Sequence, residues 1–484
     1  MMLVSLYTSR VVLSVLGVED FGIYNVVAGF VSMFAFLNTS LSACIQRFYN
    51  YENGRIGEIG FHNVYVTSFF IQLVLSLVVL LLVESVGLWY LNNKLVVPDG
   101  RLDIARTLFH ASALSIVVVI MQVPYSGAIM AMEKMDYYAI VGIIDVLLKL
   151  AVVFVIKWVS FDKLSTYGWL LFGVSIVDFL LYYIYAKVII KEIYLEWSFS
   201  RELFSQMLVF SGWSMLGSFA QVVRNQGLNM VLNLFFGPVV NAARGISYQV
   251  KTALSSFMAS VPTAARPQMV DSYARGEFDR SKQIMFSISK ICFFLIYMLA
   301  LPLFYEMGFV IHLWLGGTVP EHTISFSRII LLISIVETLN WPVSMIMYAS
   351  GRIGWYNVIT SFLGILTVPV CYFFLQVKEL PEVAYWVSLC ISVIVQTASL
   401  ICMQITVGIS VLEYTRKVLI PAVLVVCFTA FIPLLLSRLE IGDWIRLVLT
   451  ILFSVIGVCI CSIFVGLNKQ ERGVLFDLIS VKNR

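Results

Sequence analysis

GVEDFGIYNVVAGF (17–30) and GPVVNAARGISYQV (237–250) are the two stretches from which the fold of this chain can be read. Each follows an apolar run, turns at a glycine, Gly17 or Gly237, and carries amide or basic groups into the next apolar run. The pattern thus returns after a little under half the length of the chain. Each copy then reaches an arginine and a polar loop: Gln46, Arg47 and YENGRIGE (51–58) in the first, Arg266, Pro267 and SYARGEFDR (272–280) in the second. Cations inside apolar runs, given twice, are expected of a membrane transporter with an anionic cargo.

Working outward, the chain of 484 residues is 60% hydrophobic and only 12% charged, with a mean hydropathy of +0.93. A soluble fold of this length needs more polar surface, so the chain reads as an all-α polytopic membrane protein. The net charge of +4, with most Lys and Arg at the ends of apolar runs, argues against nucleic acid as a partner. Eight cysteines lack metal-ligand spacing and read as packing residues, and His62, His110, His312 and His322 form no zinc pattern. No metal or other cofactor is expected.

At roughly 20 apolar residues per crossing, fourteen segments emerge: 1–17, 21–45, 64–91, 105–131, 137–159, 165–190, 206–236, 238–262, 284–312, 324–349, 354–375, 383–409, 418–437 and 445–467. Loops on the side of the even-numbered connections hold 17 Lys and Arg against 9 on the other, which predicts cytoplasmic termini. Intervening stretches such as 92–104 and 263–283 leave no room for a soluble catalytic domain, so function falls to the helices. The first segment begins inside an apolar run, which suggests a start codon assigned late or an absent amphipathic leader. A cleaved signal peptide is the alternative, disfavoured by Arg10 and by the lack of an A-x-A site.

The six cations not counted to either set of loops are Arg10, Lys149, Arg224, Arg244, Lys251 and Lys290. Each costs several kcal/mol unless paired, hydrated or snorkelling. Lys290 is close enough to a segment start to snorkel. Lys149 follows Asp145 by four residues, which places an ion pair on one helical face, with packing and transport both open as its role. On the seventh segment Gln221, Asn225, Asn229 and Asn233 recur at every fourth position beside Arg224, and on the eighth Asn241, Arg244, Tyr248 and Lys251 recur at spacings of three and four. Arg10 lies within the first segment and Asn25 within the second.

Two readings of these polar faces stand. They hydrogen-bond helices together, or they line a hydrated positive cavity bounded by segments one, two, seven and eight, which accounts for more of them. Diphosphate or carboxylate groups suit such a cavity, since arginine pairs its donors with oxyanions and lysine supplies a point charge. Asp145, Asp178 and Glu337 are the acids read at depth, either countering the arginines or carrying a coupling proton.

SRVVLSVLGVEDFGIYNVVAGFVSMF (9–34), QRFYNYENG (46–54), FFGPVVNAARGISYQV (235–250) and VPTAARPQMVDSYARGE (261–277) together resemble the polysaccharide-type flippases of the multidrug/oligosaccharidyl-lipid/polysaccharide exporter superfamily. The resemblance implies a MATE-like arrangement: six-helix lobes at 1–204 and 205–410, two further helices at 411–467 and a cytoplasmic tail at 468–484. It implies an undecaprenyl-diphosphate-linked oligosaccharide as cargo, moved across the bacterial inner membrane for O-antigen, lipopolysaccharide or capsule assembly, in company with membrane lipid and other polysaccharide-assembly membrane proteins. By the same resemblance Arg10, Arg224, Arg244 and Lys251 would meet the diphosphate. Arg47 and Arg266 would stand at the cytoplasmic mouth, as a gate or first phosphate contact, unless they merely obey the charge bias of cytoplasmic loops. A drug or cation antiporter of the same superfamily is the near rival, disfavoured because the first segment offers Arg10 and no acid before Glu19. A membrane glycosyltransferase or glycan polymerase is the rival of another class, disfavoured by the short loops.

Overall fold

The computed structural model describes the backbone except at residues 1, 35–40, 43, 47, 50, 51, 53–56, 99, 133, 195–200, 318, 437–441, 469, 470 and 474–484, and side chains except at these and at 2, 3, 5, 32, 135, 208–217, 260, 263, 264, 266, 267, 270 and 274. Helix is the regular structure throughout the described residues. The first eight helices are α1 Met2–Leu16, α2 Val18–Ser32, α3 Glu58–Asn93, α4 Leu102–Ala131, α5 Met135–Trp158, α6 Lys163–Ile189, α7 Arg201–Phe236 and α8 Pro238–Met258. Seven more follow: α9 Ser260–Ala274, α10 Phe278–Leu315, α11 Thr323–Ser350, α12 Gly354–Val377, α13 Glu382–Val407, α14 Val411–Leu436 and α15 Asp443–Gly466.

Ten helices, α3 to α6 and α10 to α15, are long and apolar enough to cross a membrane, and the protein is a multi-pass membrane protein. α1, α2, α7, α8 and α9 fall outside that set. The first two span 15 residues each, and α7 and α8 carry the polar stripes that lower their hydropathy. Four of these five, α1, α2, α7 and α8, are the helices the sequence singles out as bounding a cavity.

Hydropathy alone misjudges three places. α3 and α10 begin well before the segments read from sequence, at Glu58 and Phe278, because polar first turns continue a helix without being apolar. The stretch 263–283, read as a connection, is helical up to Ala274 as part of α9, which starts at Ser260 and has Pro262 in its first turn, where a missing N–H costs nothing.

The duplication is visible in the backbone. Gly17 separates α1 from α2 at φ 83°, and Gly237 separates α7 from α8 at φ 73°, a region that a side chain would strain. Pro124 lies inside α4, and Pro342 lies inside α11 at nearly the same interval along the chain as the two glycines.

Two compact units divide the chain, Met1–Gly245 and Ile246–Arg484, and the boundary falls inside α8. In the first, Leu108, Phe109 and Ile120 of α4 pack with Val64 and Tyr65 of α3 and with Tyr182 and Ala186 of α6. Gly168 lets α4 and α6 close up, since a methyl there would lie 2.8 Å from Leu108 Cδ1. In the second, Cys292 and Ile296 of α10 pack with Val343 and Met347 of α11 and Met403 of α13. Lipid is as apolar as these side chains, so close fit and hydrogen bonds hold the helices together more than burial does.

Two ion pairs fasten the C-terminal end. Lys290 is 1% exposed and pairs with Glu471 instead of snorkelling, while Ser287 donates to the same carboxylate at 2.6 Å. Glu306, also 1% exposed at its side chain, accepts from Arg446 Nε at 3.0 Å on both oxygens, at a kink in α10. Arg446, counted from sequence among the loop cations, therefore bolts α15 to α10.

Candidate functional site

The α7–α8 hairpin carries most of the candidate residues. α7 presents a polar residue at every fourth position, and the turn at Gly237 brings Asn241 back alongside Asn229 and Asn233. Asn241 Nδ2 donates to the Asn229 carbonyl and to Asn229 Oδ1, both at 2.8 Å, and Asn233 Nδ2 donates to Asn241 Oδ1 at 3.0 Å. Asn229 Nδ2 reaches α2, donating to the Asn25 carbonyl at 3.0 Å, and Asn25 Nδ2 donates to the Phe21 carbonyl at 2.7 Å.

Asn233 also serves the loop between α3 and α4. Its Oδ1 accepts from the Val96 backbone N–H at 2.9 Å and its Nδ2 reaches the Val96 carbonyl at 3.4 Å, so one amide satisfies both main-chain groups of an extended residue. Asn229, Asn233 and Asn241 are 6%, 1% and 0% exposed. Their polar groups are engaged with one another and with backbone, and they tie the hairpin together.

Arg244, one turn beyond Asn241, is buried, and its Nη2 donates to the Asn225 carbonyl of α7 at 2.6 Å. An arginine so held keeps its full charge. Arg224, Asn225 and Gln226 are half-buried on α7, while Gln221 is exposed. Gln226 and Asn229 face Gly29 of α2, where a methyl would lie 2.7 Å from Gln226 Oε1. Arg10 is half-buried on α1 and forms no ion pair among the described residues.

In the second unit Lys251 lies 2.8 Å from Glu337 of α11, with its ammonium 5.7 Å from the centre of the Tyr248 ring. Glu337 is thus the counter-charge of Lys251. Ser247 donates to the Thr323 carbonyl at 3.3 Å and accepts from Ser327 Oγ at 3.1 Å, which seats the middle of α8 on α11.

Away from the hairpin, Lys149 and Asp145 form the ion pair that their spacing implies, at 2.7 Å on α5. Asp178 of α6 keeps its Oδ1 buried and without a hydrogen-bond partner among the described residues. Arg47 lies outside the described residues, as does the side chain of Arg266, whose backbone belongs to α9.

The arrangement thus brings Arg244 to Asn225, Lys251 to Glu337 and Tyr248, and the three buried asparagines to one another. No described contact joins Arg10 to the others. Sequence reasoning overlooked Glu306 and Glu471 as acids at depth. Their partners lie 140 and 181 residues away, and no periodicity reports such a pairing.

Residues 2–272 match the family described as polysaccharide biosynthesis protein. Among proteins of curated function, none matches the sequence. Among solved structures, the fold is similar to an inward-facing multidrug resistance MATE family transporter of the MOP superfamily, with TM-score 0.72, 13% identity and coverage of 84% of this chain and 94% of that one. It is similar to the lipid II flippase MurJ in its inward closed conformation, with TM-score 0.68, 16% identity and coverage of 96% and 99%. A MOP superfamily transporter from Pyrococcus furiosus, described as having a binding pocket of reversed polarity, matches with TM-score 0.55, 14% identity and coverage of 84% and 95%. By its matched residues, more than half its length, the chain belongs to the polysaccharide biosynthesis protein family, and its fold is that of the MOP superfamily transporters.

Proposed function

We propose that the protein is a flippase that carries undecaprenyl-diphosphate-linked oligosaccharide repeat units from the cytoplasmic to the periplasmic leaflet of a bacterial inner membrane, by alternating access. The observation that carries this reading is the placement of Arg10, Arg224 and Arg244 on the helices that flank the two repeated glycines, α1, α7 and α8, within a family of polysaccharide biosynthesis proteins. Guanidinium groups donate in pairs to phosphate oxygens and do not lose their charge, so they suit a diphosphate more than a cationic drug.

In this reading the chain crosses fourteen times, as lobes 1–204 and 205–410, two more crossings at 411–467 and a cytoplasmic tail from 468. Arg10, Arg224 and Arg244 contact the diphosphate, and Lys251 joins them when Glu337 releases it. Gln221, Asn225 and Tyr248 meet the sugars nearest the phosphate. Arg47 and Arg266 serve the cytoplasmic mouth. Asp145, paired with Lys149, and Asp178 either counter the cations or carry a coupling proton. The polyprenyl chain stays in lipid.

The test replaces Arg10, Arg224 and Arg244 singly by glutamine in a strain that depends on this protein for glycan export. Purified variants that elute as the native protein does are expected to lower export on the order of tenfold or more and to leave lipid-linked glycan on the cytoplasmic side. Undiminished export in all three variants would exclude the diphosphate site. Undiminished export together with raised sensitivity to cationic drugs would point to the antiporter instead.

A further inference from the structure

The two halves of the chain are latched at corresponding places by different cations. In the first, Arg101, which caps α4, bridges Asp162 at the start of α6 at 2.5 Å and also pairs with Asp20 of α2. In the second, His322, which caps α11, bonds through Nδ1 to Glu382 Oε1 at the start of α13 at 2.6 Å. Ser325 Oγ donates to the same oxygen at 2.7 Å. Along the chain His322 follows Arg101, and Glu382 follows Asp162, at the interval by which Gly237 follows Gly17, give or take a single position.

His322 has φ 65°, the only non-glycine with positive φ among the described residues. Its ring stacks on Phe326 at 5.8 Å, and Phe326 stacks in turn on Tyr385 of α13 at 4.2 Å. The unfavoured backbone is therefore held by the contact its side chain makes. Water reaches the site through a cavity of about 430 Å³ lined by His312, Glu321, His322, Ser325 and Arg328.

We infer that the His322–Glu382 contact is a latch between α11 and α13 worked by a proton, whereas the Arg101–Asp162 contact that answers it in the first half is permanently closed. Imidazole is the side chain that changes charge between about pH 5 and pH 8, while guanidinium stays charged throughout. With His322 protonated, Nδ1–H donates to a carboxylate of opposite charge. With it neutral, the attraction between charges is gone, and the hydrogen bond survives only in the tautomer that keeps its proton on Nδ1. The other charged or titratable groups around the ring are His312 of α10, Glu321 next in sequence, and Arg328, whose Nε is turned onto the Phe304 carbonyl at 3.0 Å. Glu382 is the acid in contact. Acid therefore tightens this end of the second half, and rising pH slackens it, without touching the first half. The proposal needs only the fold and is independent of the cargo.

Hydrogen exchange read by mass spectrometry on the full chain in lipid nanodiscs tests it, at about pH 5 and about pH 8 and corrected for intrinsic exchange. Amides of 320–328 and 380–387 are expected to lose protection about 2- to 5-fold at the higher pH, while those of 100–107 and 160–167 do not change. His322→Arg should abolish the difference, and Arg101→His should create one of the same sign in the first half. Glu382→Gln, which keeps an acceptor but no charge, should leave the second half loose at both pH values, and it decides the matter if His322→Arg does not fold. Equal protection at both pH values in the native chain, or an undiminished difference in Glu382→Gln, would overturn the latch.

Discussion

Polar groups at depth are handled in opposite ways by the two units. Between Met1 and Gly245 they are mainly neutral amides, Asn25, Asn229, Asn233 and Asn241, bonded to one another and to backbone. The described ion pairs of that unit are less buried: Arg101 is 33% exposed at its side chain, against Asp162 at 29% and Asp20 at 7%, and Lys149 and Asp145 are 49% and 25% exposed. Between Ile246 and Arg484 two charged side chains are only 1% exposed, and each is half of a pair, Glu306 with Arg446 and Lys290 with Glu471. An amide that loses one partner retains others and remains neutral. A buried charge that loses its partner is left in a medium that does not solvate it. The first unit should therefore fail in small steps and the second abruptly.

The largest effect is expected at Glu306. Glu306→Gln takes from Arg446 its buried carboxylate where the helix is kinked, and should destabilise the protein by about 2–4 kcal/mol, below the upper limit because Arg446 is partly exposed and keeps Asp443 at 2.9 Å. Removing both charges in Glu306→Leu with Arg446→Leu should recover most of the loss. Thermal unfolding in detergent, with α15 followed by proteolysis, measures both. A double variant as unstable as the single one would mean that the pair itself, not the orphaned charge, holds α15.

Lys290→Met should cost about 1–3 kcal/mol, because it strands Glu471. It also carries a pH signature. Burial would push the Glu471 carboxyl up, but the bonds from Lys290, Ser287 and the Asn468 backbone N–H win and hold it below the ordinary carboxylate value. A carboxyl lowered on folding adds stability above its unfolded value, and that stability is lost as pH falls through the folded one. The native protein should accordingly lose its hold on the C-terminal segment in acid below about pH 4.3, and Lys290→Met should lack that step. An identical acid profile in the two proteins would remove Glu471 from the account.

Next in size is Asn241→Ala, at about 1–2 kcal/mol, since three hydrogen bonds go but no charge is exposed. Melting temperature with and without the change suffices. A cost equal to that of Glu306→Gln would erase the contrast between the units.

How much of this was legible beforehand follows the same division. Apolar runs announced the helices, and Gly17 and Gly237, each followed by polar groups and an arginine at a matching interval, announced the duplication, because both are properties of short stretches. The stripe of Asn225, Asn229 and Asn233 was legible as a polar face, since periodicity reports which residues share a side of a helix. What that face meets is a tertiary fact. Asn241 folds back onto it only because Gly237 turns the chain, so groups expected to line open space include three that are buried against each other. Lys290 and Arg446 were legible as cations, but Glu471 and Glu306 reach them from another part of the chain. Spacing in sequence fixes partners one helical turn apart, as with Asp145 and Lys149, and is silent about pairs as distant as Glu306 and Arg446.

The smallest effect is expected at Asn25, and it sharpens the idea that the amides come apart one at a time. The Asn25 side chain makes one local bond, to the Phe21 carbonyl, while its backbone carbonyl is what Asn229 uses, so Asn25→Ala should leave the Asn229 contact in place and cost about 0.5 kcal/mol. The side chain also fills the space beside Gly245, where a methyl would lie 2.6 Å from Asn25 Oδ1. Gly245→Ala alone should then destabilise by about 1 kcal/mol through overpacking, despite the better helix propensity of alanine. In the Asn25→Ala background the clash is gone and the propensity gain remains, so the same change should become neutral or stabilising. A double-mutant cycle on melting temperatures reads this sign reversal directly. If Asn25→Ala instead costs as much as Asn241→Ala, the amides act as one cooperative network, and the first unit breaks as abruptly as the second.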